Sequence, residues 1–149
     1  MTPTYLLFMA LFSMFPTSPA RSCLERRQTE VVQLATDAAE RNNIPPSVLL
    51  VVGFSETHLG CDAGEAGGWG APVDRHHRHT AGTPNTAAHI LARSFEVCHT
   101  WEGAVSRFRS GMCRLPREDY RIPYVVRTLR IIELLHTRTG QPLPPAFRR

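Results

Sequence analysis

Lysine is absent. All 17 basic residues are arginine, set against 13 acidic ones, for a formal net charge of +4. Residues 1–20 carry no charged side chain, so the positive balance belongs to the rest of the chain. That modest excess suits an anionic polymer and equally suits plain solubility. No basic tract interleaved with aromatics and no helix-turn-helix pattern is present, which argues against nucleic acid. No Cys-x-x-Cys spacing occurs, which argues against a zinc site. No internal repeat and no convincing strand stands out, so a sheet-based fold is not expected.

What is present begins with an apolar stretch, Tyr5-Leu6-Leu7-Phe8-Met9-Ala10-Leu11-Phe12. It reads as the core of a secretory signal peptide over residues 1–20, with Ser18-Pro19-Ala20 offering small residues before a cut near Ala20. The stretch is too short to span a bilayer and is broken by Pro16, so no stable membrane insertion is expected after cleavage. Residues 21–141 then form one domain, long enough for a single core, and 142–149, with Pro142, Pro144 and Pro145, read as an unstructured tail. The four cysteines, Cys23, Cys61, Cys98 and Cys113, all lie in the exported part. An even count in a small exported domain favours two disulfides.

The fold class is all-α, with about five helices legible from apolar periodicity. Leu24, Val31, Ala35 and Ala38 share a face of a first helix, 24–42. Ile44-Pro45-Pro46 ends it and opens a second, 46–59, because Pro fits a first turn and not a helix interior. The second helix is apolar nearly all round between Val48 and Phe54, the mark of a buried central helix. Residues 60–83 form a long Gly- and His-rich loop, a kind of segment that is usually functional or disordered. Thr83-Pro84 opens a third helix that reaches Cys98. Thr100 caps a fourth, which Gly111 ends. The last, 124–139, is stopped by Gly140 and Pro142. Helices one and two are joined by a short turn and should pack antiparallel, which places Cys23 near Cys61. Cys98 with Cys113 then follows, out of three possible connectivities.

Glu56 is the residue with the most chemistry. It shares a stripe with Leu49, Val52 and Leu59 near the C-terminal end of the second helix. An apolar surface and the negative end of the helix dipole both disfavour the charged carboxylate. A carboxyl that holds a proton near neutral pH is what a glycosidic leaving oxygen needs.

The ordered set of Ile44-Pro45-Pro46, an apolar helix ending in Glu56, a Gly-rich loop, Asn85 opening a helix, Trp101 with Ala104, Phe108-x-x-Gly111 and Tyr124-Val125-Val126-Arg127 resembles the SLT-type lytic transglycosylases. These belong to the lysozyme-like superfamily, as do goose-type lysozymes. The resemblance spans about residues 30–135. It implies a lysozyme-like fold, a peptidoglycan substrate, no cofactor and no metal. It also implies cleavage of the MurNAc–GlcNAc β-1,4 bond with Glu56 as general acid and then base. The substrate's N-acetyl group assists, and the C6 hydroxyl closes a 1,6-anhydro product. A secreted or periplasmic, cell-envelope location goes with it. The substrate-contact positions it implies are Thr57, Trp69, Ala71, Phe108 and Tyr124, with the Tyr124 hydroxyl pointing at the acid.

Several positions depart from the family pattern. Thr57 stands where Ser is common. Gly68-Trp69-Gly70-Ala71 replaces Gly-Leu-Met-Gln, so a sugar-facing Gln is lost at Ala71, and Trp69 either stacks on a sugar or fills the core. Phe108-Arg109 replaces Tyr-Asn. The losses at Ala71 and Arg109 favour the alternative of a non-catalytic glycan-binding domain; a hydrolysing muramidase is a separate alternative, open if Asp62 or Glu65 pairs with Glu56. His76-His77-Arg78-His79 has no partner spaced to complete a metal site and reads as an exposed loop. His58 faces away from Glu56 on a helix, and Trp101 reads as a core anchor. Arg107, Arg109 and Arg114 either line a groove for anionic peptide stems or form a solvated face.

Overall fold

The computed structural model describes residues 2–61, 69 and 83–147. Among these the chain is all-α, with six helices and no strand. They are α1 (Pro3–Met14), α2 (Arg21–Asn42), α3 (Pro46–Thr57), α4 (Pro84–Cys98), α5 (Trp101–Ser110) and α6 (Ile122–Thr139).

The sequence dictates most of these boundaries locally. Proline occupies the first turn of α3, α4 and α6, where its missing N–H costs nothing. Thr83 and Thr100 cap α4 and α5 by accepting from the backbone N–H groups of Thr86 and Gly103. Gly111 and Gly140 close α5 and α6 in the left-handed conformation that glycine adopts without strain. The second expected helix ends earlier than Gly60. His58 and Leu59 both take positive φ, 51° and 56°, so α3 stops at Thr57 and leaves Glu56 one residue from its end.

Helix α3 is the hub. Val48, Leu49, Leu50, Val51 and Val52 are all fully buried, and α1, α2, α4 and α6 pack around them. Each such side chain removed from water contributes about 1.5–3 kcal/mol. Gly53 continues the helix where the Trp69 indole lies against it. A Cβ there would sit 2.7 Å from Trp69 Cε3 and 2.9 Å from Leu59 Cδ2.

The apolar stretch read as a signal peptide is α1. Its Leu7, Phe8 and Leu11 are buried, and the helix packs on α2, α3 and α6. Arg21 ties α1 back to the domain, lying 4.0 Å over the Phe12 ring and donating to the Phe12 carbonyl at 3.3 Å. Of the tail expected to be unstructured, 142–149, the described part, 142–147, instead folds back. Phe147 is buried, and the Ala146 carbonyl accepts from the Trp101 N–H at 3.2 Å. Its apolar Phe147 outweighs the proline-rich composition that suggested a free end.

Two disulfides join Cys23 to Cys61 and Cys98 to Cys113, with Cα–Cα distances of 5.9 and 5.5 Å. This is the connectivity expected from antiparallel packing of α2 and α3. The first ties the start of α2 to the turn after α3. Arg27 reinforces that turn by donating to the Leu59 carbonyl at 3.4 Å.

A buried polar contact links α3 to α6. Ser47 Oγ lies 2.7 Å from His136 Nε2, and His136 Nδ1 lies 3.2 Å from the Gln141 carbonyl. Burial pushes this imidazole below the usual histidine range, outweighing the opposing pull of the Gln141 and Pro142 carbonyls.

Two predictions test this packing. Gly53→Ala gains about 1 kcal/mol of helix propensity but overpacks a rigid buried indole at a cost of about 1–3 kcal/mol. The net effect should be a lower urea midpoint and perturbed tryptophan fluorescence; an unchanged or raised midpoint would contradict the contact. For His136, the unfolded ring binds a proton near pH ~6.5 while the folded ring resists it. Its stabilising contribution is therefore complete above that pH and is lost as pH falls through the lowered folded value. The stability advantage of the parent over His136→Gln should shrink between about pH 7.5 and about pH 5. A constant gap would contradict a neutral, buried His136.

Candidate active site around Glu56

Three helix ends converge on the Glu56 carboxylate. Glu56 arrives from the last turn of α3, Arg109 from the last turn of α5 and Tyr124 from the first turn of α6. Tyr124 donates its hydroxyl to Glu56 Oε1 at 2.7 Å, and Arg109 Nη1 donates to Oε2 at 2.9 Å. The two carboxylate oxygens thus have separate partners, contributed 68 and 53 residues away in sequence. Arg109 also lies over the Tyr124 ring, 4.8 Å from its centroid, so the three side chains form a closed triangle.

Exposure is uneven across the triangle. The Glu56 side chain is 12% exposed and that of Arg109 is 42% exposed. Solvent screening at the arginine keeps the ion pair modest, towards the ~0–1 kcal/mol of exposed pairs. The tyrosine contact is short and charge-assisted, in the class that contributes about 1.5–3 kcal/mol. Burial raises the Tyr124 phenol above its ordinary range, and the Glu56 charge and hydrogen bond push it the same way. Tyr124 is accordingly a donor to the carboxylate at neutral pH.

The other expected contact positions fall elsewhere. Thr57 is buried; its hydroxyl accepts from the Gly60 N–H at 3.0 Å, within the turn that ends α3. Trp69 is 1% exposed against Gly53 and Leu59, so it fills the core and offers no open face to a sugar. Phe108 is buried on the inner side of α5, while its neighbour Arg109 reaches Glu56. Ala71, Asp62, Glu65 and the His76–His79 tract lie outside the described residues. Trp101 stacks on Phe95 at 4.3 Å as a core anchor. Arg107 donates to the buried Ser94 hydroxyl at 3.0 Å and braces α5 on α4. His58 caps α3 and packs edge-on against Phe54.

Two cavities flank this region. One of about 540 Å³ opens between α5 and α6 beside the Cys98–Cys113 bridge, walled by Ser106, Leu115, Val125 and Leu129 and edged by Glu102 and Arg114. The other, about 520 Å³, lies between residues 14–19, the end of α3 at Phe54, Ser55 and His58, and Arg127 of α6. Neither is lined by Glu56. Among the described residues no group of three or more His, Cys, Asp or Glu side chains is placed to hold a metal ion.

The structure brings Tyr124 to Glu56, as the resemblance implies, and adds Arg109, which the sequence grouped with Arg107 and Arg114 as groove lining or a solvated face. The signal for Arg109 was its place at the departure from Tyr-Asn, one residue after Phe108. No family model, curated protein or solved structure matches the chain.

The Tyr124 contact has a direct test. Tyr124→Phe removes one donor to a charged acceptor and should destabilise the fold by about 1.5–3 kcal/mol. Below alkaline unfolding, the parent and this variant should release the same number of phenolic protons by ultraviolet difference titration. A variant that releases one proton fewer would show that Tyr124 ionises freely.

Proposed function

We propose that the chain is a lysozyme-like domain of the SLT lytic transglycosylase type, cleaving the MurNAc–GlcNAc β-1,4 bond of peptidoglycan. The observation that carries this reading is the hydrogen bond from the Tyr124 hydroxyl to Glu56 Oε1 at 2.7 Å. The resemblance requires a tyrosine hydroxyl directed at the acid, and nothing in local sequence couples residues so far apart.

In this reading Glu56, once protonated, gives its proton to the leaving glycosidic oxygen and then takes one from the C6 hydroxyl as that oxygen attacks C1. The substrate's N-acetyl group supports the departing bond, so a second protein carboxylate is not needed. Tyr124 holds the carboxyl in one orientation through both steps, which preserves the geometry that proton transfer demands. Residues 1–20 as an export signal, and a cell-envelope location for the remainder, belong to the same proposal.

A second reading has its own support. The Arg109–Glu56 ion pair, and the loss of the family's Tyr-Asn at Phe108-Arg109, favour a glycan-binding domain that does not cut. Cleavage assays separate the two. The oxidised chain is incubated with purified peptidoglycan and the soluble fragments are identified by mass spectrometry. Anhydro-muramyl ends are expected from the parent, with Glu56→Gln slower by about 100-fold or more. Reducing ends would indicate a muramidase. An absence of fragments from folded protein would favour the binding domain.

A further inference from the structure

Glu56 faces a contradiction if it is a general acid. Its Oε2 accepts from Arg109 Nη1 at 2.9 Å and its Oε1 from the Tyr124 hydroxyl at 2.7 Å, so each carboxylate oxygen already has a partner where a leaving oxygen would have to approach. Something must draw Arg109 away. We propose that Arg109 selects acidic glycan strands: it is the counter-ion of Glu56 in this structure and transfers to a carboxylate of the substrate when a strand binds. The inference rests on the glycan-cleaving reading above and names what that site discriminates.

The geometry suits a transfer. Arg109 reaches Glu56 through one nitrogen, Nη1, and its side chain is 42% exposed. A guanidinium carries further N–H groups in a fork that fits a second carboxylate. The Tyr124 ring beneath it, 4.8 Å away, is a surface on which a guanidinium can pivot without losing its cation–π contact. Arg109 also sits in the last turn of α5, where the negative end of the helix dipole favours a cation whether or not Glu56 is paired. Glu56 is not set adrift by the departure, because Tyr124 still holds Oε1 at 2.7 Å. The charges balance. Arg109 keeps its positive charge against the substrate carboxylate, and Glu56 takes a proton from solvent and passes it to the leaving oxygen. A neutral strand offers Arg109 no such exchange and leaves Glu56 paired.

The test compares native soluble glycan strands, whose free carboxylates lie on the stem peptides, or on the lactyl group where no peptide is attached, with the same strands amidated by carbodiimide and ammonia. Binding to the full oxidised chain is measured by calorimetry and cleavage by product release. The parent should bind the acidic strands about two- to fivefold more tightly than the amidated ones, the scale of one partly exposed ion pair. Arg109→Gln should lose that preference and Arg109→Lys should keep part of it, all with unchanged circular dichroism. Equal binding of both strand forms by the parent, a preference that survives Arg109→Gln, or no binding of either form would overturn the inference. Cleavage is read separately. Arg109-dependent binding without fragments would overturn the enzymatic reading and leave the selective role of Arg109 standing. Fragments with no charge preference would do the reverse.

Discussion

A helix that is apolar on every side can exist in water only if other elements enclose it. Residues 48–52 of α3 impose that condition on the whole chain, and α1, α2, α4 and α6 are the enclosure. The chemistry is placed by the same constraint. The apolar run ends at Phe54, and Glu56 follows where the enclosure opens, so its carboxylate lies at the rim of the core with 12% of the side chain exposed. A side chain at the end of a rigid, buried rod has little freedom to wander, which is the condition under which hydrogen-bond geometry can matter.

Much of this was legible in the sequence because its causes are local. Prolines in first turns, threonine caps and glycine stops set the ends of α4 to α6. The disulfide pairing followed from one topological fact, the short turn between α2 and α3. The errors were also local. Gly60 looked like the natural stop for α3, yet His58 and Leu59 entered the left-handed region first, with Thr57 bonding to the Gly60 N–H. The apolar stretch of α1 reads as a signal-peptide core, and nothing in it says what it packs on when it is retained. The partners of Glu56 were a different matter. Tyr124 was expected only through the family resemblance, and Arg109 was not paired with Glu56 at all. Side-chain contacts across 53 residues leave no periodic trace. The same holds for Ser47 with His136.

The triangle of Glu56, Arg109 and Tyr124 combines a fixed and a movable partner on one carboxylate. Tyr124 is largely enclosed, bonds by a short contact and retains its proton. Arg109 is half in solvent and binds through a single nitrogen. Low exposure strengthens the first contact and screening weakens the second. One carboxylate is thereby given a constant orientation and a variable electrostatic environment. Phe108 anchors α5 beneath this arrangement, so movement of Arg109 does not require movement of its helix.

The link between α1 and α2 has a consequence for the order of events in the life of the chain. The Ala20–Arg21 bond lies in a hydrogen-bonded turn: Ala20 is buried, Arg21 N–H donates to the Ser18 carbonyl at 3.0 Å, and the Ala20 carbonyl accepts from Leu24 at 2.9 Å. A processing protease needs its target bond extended and accessible, as found in open loops and unfolded segments. Folding with α1 in place closes that bond. Under the export reading proposed above, cleavage there would have to precede assembly of the helices, and a chain that folds first keeps α1 as part of its core.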